Sequence, residues 1–130
     1  MLKAAVLFLV CACGMASTYS LATALHLGGL DVDAFELAAL PDQPHFAVAV
    51  SRARKSSTRV ALALLVQPSY RQVALLHAIT LDFDPGLCRR DLALRLSPNV
   101  RHPDVVDICI SGHTFCQACL ATKTLICEPL

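Results

Sequence analysis

Tryptophan is absent from this chain of 130 residues, and aromatic residues of all kinds make up only 5% of it. Single-stranded nucleic acid is held largely by stacking of bases on aromatic rings, so such a platform has almost nothing to be built from. Charge is equally sparse. Asp, Glu, Lys and Arg together account for 16% of the residues, and 11 basic side chains against 10 acidic ones leave a formal net charge of +1. Binding to a phosphate backbone draws on a surplus of positive charge, which this balance does not supply, and nucleic acid is not an expected partner. The chain also lacks a glycine-rich phosphate loop, a G-x-S-x-G nucleophile elbow and an H-E-x-x-H pair, which removes the commonest motif-based routes to nucleotide, acyl-transfer and metalloprotease chemistry. It carries no internal repeat and no low-complexity tract.

Apolar residues, by contrast, make up 55% of the chain, and the mean hydropathy is +0.57. Such a composition argues against disorder and brings membrane contact into consideration. At this length a single hydrophobic core is expected, with about two thirds of the unfolded surface buried on folding.

Met1-Leu2-Lys3 followed by AAVLFLVCACG reads as a short basic region and an apolar region, with Gly14 or Ala16 as a small residue before a cleavage point. Because no charged residue falls between Ala4 and Leu30 when His26 is neutral, the same stretch also satisfies the length of about 20 residues that a membrane-spanning helix requires. Membrane contact is therefore expected through residues 4–25. A lipid-modified Cys13 and a buried helix of an intracellular protein are the other readings of this segment.

Asp33 to Leu40 (DAFELAAL) combines helix-favouring residues with an acidic start and a stop at Pro41, which predicts a short helix. Three apolar runs follow, His45–Val50, Arg59–Val66 and Val73–Phe83, separated by polar segments. They predict a small antiparallel three-stranded meander, with helix as the competing form of the second and third runs. Leu87 to Leu96 suits a short helix or strand. The Ser51–Arg59 stretch, SRARKSSTR, is basic and reads as a solvated hairpin loop. His26, His45 and His77 lie in apolar runs and read as core or surface residues rather than ligands.

The seven cysteines stand at 11, 13, 88, 109, 116, 119 and 127. Their chemistry depends on compartment: clustered thiols near a histidine bind metal in a reducing cytosol and form disulfides in an oxidising lumen. Cys116-Gln117-Ala118-Cys119 is a C-x-x-C pair with His113 three residues before it and Cys127 eight residues after it. In a tight turn such a pair brings two sulfurs to one side of a tetrahedral zinc ion.

Gly112-His113-Thr114-Phe115-Cys116-Gln117-Ala118-Cys119-Leu120 resembles the central segment of RING fingers, especially those of the TRIM class of ubiquitin ligases. Pro103-Asp104-Val105-Val106 resembles the Asp-Pro-Val stretch that precedes it in many RING and U-box domains, with its first two residues exchanged. The resemblance covers residues 103–130. It implies a cross-braced pair of structural zinc sites, with Cys116 and Cys119 in one and His113 and Cys127 in the other. Cys88 would join the first set, and Cys109 the second in place of the family's cysteine, where this chain has Ser111, which gives three ligands for each site. The implied partner is a protein, and within the family a ubiquitin-conjugating enzyme. The opening C-x-x-C pair that docks this enzyme is missing, which favours binding over ubiquitin transfer.

The expected architecture is thus α+β: an N-terminal apolar helix, a small antiparallel three-stranded meander and a C-terminal RING-like zinc-binding segment. The divisions fall at 1–17 for a signal peptide or anchor, 18–86 for an α+β region and 87–130 for an incomplete RING-like segment. The expected function is a zinc-binding protein-interaction module, cytoplasmic and related to ubiquitin ligation. The rival expectation is a small secreted or membrane-anchored protein whose cysteines form disulfides and which has no enzymatic activity.

Overall fold

The computed structural model describes residues 17–54, 56, 58–69, 71–82 and 92–127. In chain order these form helix α1 (Leu21–Leu27) and strands β1 (Leu30–Leu40), β2 (Gln43–Ala53), β3 (Arg59–Ser69), β4 (Gln72–Asp82), β5 (Leu94–Pro98), β6 (Val105–Ile110), β7 (His113–Cys119) and β8 (Thr124–Cys127). They make two four-stranded sheets, β1-β2-β3-β4 and β5-β6-β7-β8, each pairing its strands in sequence order and antiparallel throughout. The architecture is mostly β with one short helix, which corrects the expected α+β fold with its three-stranded meander and RING-like segment.

The strand alternation of side chains assigns each face of the first sheet a different neighbour. Val48 and Val50 of β2, with Val60, Leu62 and Leu64 of β3, join Val106, Ile108, Ile110, Cys116, Ala118 and Leu125 of the second sheet in one buried cluster. This is the centre of a β-sandwich. The intervening Ala49, Ala61, Ala63 and Leu65 point the other way and form a second cluster with Ala24 and Leu25 of α1. The first sheet is therefore the middle layer between a helix and a second sheet. That position explains why Val60 to Leu65 are all buried and read as a continuous apolar run with no period-two alternation.

The alanines under α1 let the helix sit close to the sheet. Ser20 caps it, its hydroxyl accepting the Thr23 backbone N–H at 3.3 Å, which supplies one of the donors left unpaired at a helix start. The chain is anchored just before the helix by a two-way backbone bridge between Tyr19 and Val73, each bond 2.8 Å long.

The segment 33–40, expected as a helix, is the larger part of β1. Its residues pair with β2 from Phe35↔Ser51 to Leu40↔Gln43, and the strand buries Leu40 in the sandwich core. Helix propensity differs between residues by only tenths of a kcal/mol, and pairing along a neighbouring strand outweighs it. Leu30 pairs with Ala53 before the register jumps to Phe35↔Ser51, so β1 is bulged across Asp31 to Ala34. Buried Ser51 is satisfied there: its hydroxyl accepts the Asp31 N–H at 2.8 Å and donates to the Arg52 carbonyl at 2.7 Å.

Of residues 4–25, expected to contact a membrane, 21–25 lie in α1, where Ala24 and Leu25 are fully buried against the sheet. The apolar stretch 4–16 lies outside the described residues, as do the boundary stretch 83–91 and Cys88. Among the described residues no helix is long and apolar enough to cross a membrane.

Candidate functional site

The second sheet decides what the cysteines do. Strands β6 and β7 are joined by a two-residue turn in which Ser111 has φ 51° and Gly112 φ 86°. Two successive left-handed residues match the twist of a tight hairpin, and Gly112 adopts this conformation without a side-chain penalty. The Gly-His of the RING resemblance is therefore a hairpin turn and the first residue of a strand. His113 pairs with Ile110 and is exposed.

From His113 the chain continues as β7 through the whole C-x-x-C pair. Residues three apart in a strand face opposite sides of the sheet and lie about 10 Å apart along it. Cys116 accordingly enters the sandwich core, where it is fully buried, while Cys119 lies on the outer face with a free thiol. Cys109 of β6 is also free and half-buried. It pairs with Thr114, whereas Cys119 pairs with Val105, four residues away along the same strand.

Cys116 forms a disulfide with Cys127, which lies directly opposite it on edge strand β8. Among the described residues no group of three or more His, Cys, Asp or Glu side chains is arranged to hold a metal ion. The expected zinc centre is thus corrected: Cys109, His113, Cys116, Cys119 and Cys127 do not converge, and two of these sulfurs are consumed by each other. Zinc requires thiolates gathered at one point. The knuckle geometry depended on a turn where the chain forms a strand.

The free thiol of Cys119 is held below the ordinary cysteine range, first by a hydrogen bond from the Thr122 side chain and then by backbone N–H groups of Thr122 and Ala121. These donors come from the loop between β7 and β8, and they stabilise the thiolate over the thiol. Alkylation by iodoacetamide should therefore reach its half-maximal rate at a lower pH than for an unstructured cysteine. Thr122→Val should move that pH upward. An unchanged profile in the variant, read by mass spectrometry at Cys119, would dismiss the assigned cause.

His77 of β4 performs a different task. Its Nδ1 accepts the backbone N–H of Leu125 in β8 at 2.7 Å, joining the two sheets where β4 lies against β8. An edge strand presents backbone donors that have no strand partner, and this one would otherwise be left in a partly buried position. The ring must therefore carry its proton on Nε2. His77→Leu should cost about 1–2 kcal/mol, since it leaves the Leu125 N–H without an acceptor, while His77→Gln should recover part of the loss. Chemical denaturation of the three proteins tests this, and equal stability of the Leu and Gln variants would contradict it.

A concave region of about 530 Å³ lies beside the β1 bulge, bordered by Asp31, Phe35, Glu36, Arg52 and Ala93, and two more flank the first sheet. One, with a volume of about 520 Å³, lies beside Arg54, Ser56, Arg59 and Thr80. Its guanidinium groups are engaged: Arg54 donates to the His26 carbonyl at 3.0 Å, and Arg59 pairs with Asp82 at 3.0 Å. The other, of about 460 Å³, is a groove over the helix-bearing face, bordered by Leu37, Ala39, His45, Ala47, Leu65 and Arg71.

No family model matches the chain, and neither a curated protein nor a solved structure matches it.

Proposed function

We propose that this chain is a small secreted or membrane-anchored β-sandwich protein, held together by a disulfide and acting through binding without enzymatic activity of its own. The observation that carries this reading is the Cys116–Cys127 bond. It joins an edge strand to its neighbour inside the core, where one sulfur is fully buried, as expected of a structural bond. Structural disulfides persist in oxidising compartments and are rare in the cytosol. The apolar stretch after Lys3, with the pattern of a secretion signal, agrees with that compartment.

The test is to recover the protein from a cell that expresses the full reading frame, determine its N-terminus and measure its intact mass before and after reduction. The expected protein begins near Ser17 or remains membrane-bound through the preceding segment, and it gains about 2 Da on reduction for its one described disulfide. Full alkylation of both Cys116 and Cys127 in unreduced protein would overturn the proposal. In the same preparation a chelator should leave the thermal midpoint unchanged, whereas a reductant should lower it.

A further inference from the structure

The chain enters the sandwich at the same end as two loops of the second sheet. Ala93, just before β5, borders the hollow beside the β1 bulge together with Phe35 and Ser51. Leu125, which is level with Ala118, Val106 and Pro98 across the second sheet, bonds to His77, which is level with Leu64, Val48 and Ala38 across the first. Passing from Ala93 to Pro98 therefore moves along the first sheet from Phe35 toward Ala38 and the β1–β2 turn. The β5–β6 loop (99–104) and the β7–β8 loop (120–123) accordingly stand at the end that carries the β1–β2 and β3–β4 turns. Tyr19, bridged to Val73 near the start of β4, fixes the entering chain at this end too.

The β5–β6 loop holds an apolar side chain out at that end. Val100 is 98% exposed, more than any other large apolar residue among those described. Its loop is braced: Asn99 Oδ1 accepts the backbone N–H groups of Arg101 at 2.9 Å and His102 at 3.0 Å, while Nδ2 donates to Asp107 at 3.1 Å. The Leu120 N–H donates to the Asp104 carbonyl at 2.8 Å and so joins the two loops. Exposed Arg101, His102 and Lys123 lie in these loops, with Asp104 there and Asp42 in the β1–β2 turn as exposed acids.

We propose that this end of the sandwich seats on a phospholipid bilayer, with Val100 dipping among the headgroups and Arg101 and Lys123 at the level of the phosphates. The seating deepens the membrane-anchored form of the function proposed above and rests on it. Only Ser17 and Thr18 separate the apolar stretch that ends at Ala16 from Tyr19, which is pinned to the sheet, and two residues span at most about 7 Å. A protein retained by that stretch keeps its loop end against the membrane surface. There a protruding valine gains from leaving water, and long basic side chains reach the phosphates while their stems stay in the interface. Asp42 and Asp104 oppose part of the attraction, so the seating draws its strength from the tether, which makes contact with the bilayer intramolecular in effect.

Because the chain has no tryptophan, Val100→Trp installs a single fluorophore at the loop tip, and Thr58→Trp, between β2 and β3 at the opposite end, serves as the control. Each full chain is reconstituted into vesicles of phosphatidylcholine and phosphatidylserine, with and without bromine on the acyl chains. The emission of V100W is expected to shift to the blue and to be quenched by the brominated lipid, while that of T58W stays unchanged. Adding Arg101→Gln/Lys123→Gln to V100W should weaken the seating about thirtyfold, the equivalent of about 1 kcal/mol for each cation near an anionic surface, and remove most of the quenching. Tryptophan itself favours the interface, so the unsubstituted chain in lipid nanodiscs supplies a second readout: spin-labelled lipid should broaden the amide signals of 100–102 and 120–123 and spare those of Arg54 and Thr58. A retained chain in which V100W is quenched no more than T58W, in which the glutamine pair changes nothing, or in which both ends broaden alike would overturn the seating alone. A full chain that does not stay with the vesicles would overturn the anchored form of the function and the seating with it.

Discussion

Replacement of Cys116 and Cys127 together by alanine is expected to lower the free energy of unfolding by about 3 kcal/mol. The bond closes a loop with a sequence separation of 11, and in the chain-entropy description a loop of this size restricts the unfolded ensemble by roughly that amount. Domains of this kind are typically stable by only about 5–15 kcal/mol, so the loss is a large fraction of the total. β8 has only four residues and one neighbouring strand. What holds it besides the disulfide is its pairing with β7, the burial of Leu125 and the bond from the Leu125 N–H to His77. Reduction should therefore accelerate amide exchange at Leu125 and Ile126 before it affects β3. Cys119→Ala, which removes a free thiol on the outer face, should change stability by less than about 0.5 kcal/mol. Urea denaturation with and without reductant measures the first effect. A midpoint unaffected by reduction at constant slope would show that the bond does not stabilise the fold.

The cysteine cluster was legible as a cluster, but its chemistry depended on local conformation that spacing alone does not determine. A separation of three residues gives adjacent sulfurs in a turn and opposed sulfurs in a strand. The pattern around it contained the answer in part. Val106, Ile108 and Ile110 alternate with Asp107 and Cys109, and Ser111-Gly112 then separates this run from Thr114 to Cys119. Alternation that runs up to a Ser-Gly pair is a hairpin signal, and the C-x-x-C spacing shared with RING fingers lies inside the strand that follows this turn. The pairing of Cys116 with Cys127 was less accessible, because it depends on the register of β8 against β7. Contacts between the sheets were not accessible at all: His77 and Leu125 are 48 residues apart and meet only after both sheets have formed and packed. In the first sheet the runs 45–50, 59–66 and 73–83 mark parts of β2, β3 and β4, while β1 was hidden by the helix propensity of Glu36, Leu37, Ala38 and Ala39.

The two faces of β3 should respond to substitution in opposite ways. Leu62 is fully buried between the sheets and pairs with Val50 and Ile79. Truncation to alanine should cost about 3 kcal/mol or more, because the transfer energy of the removed carbons is lost and rigid strands on both sides limit collapse of the cavity. Its neighbour Ala63 is equally buried but faces α1. Here the damage comes from enlargement: Ala63→Leu must displace the helix or distort the sheet, at a cost of about 1–3 kcal/mol. A seven-residue helix is far below the length at which helices are stable alone, so it is the part that should yield. Leu62→Ala should therefore lower the global denaturation midpoint with uniform loss of amide protection across both sheets. Ala63→Leu should release residues 21–27 to rapid exchange while β6 and β7 keep much of their protection. If the two variants produced the same exchange pattern, α1 would be part of the cooperative core, and the division of β3 into a sandwich face and a helix-bearing face would have no energetic meaning.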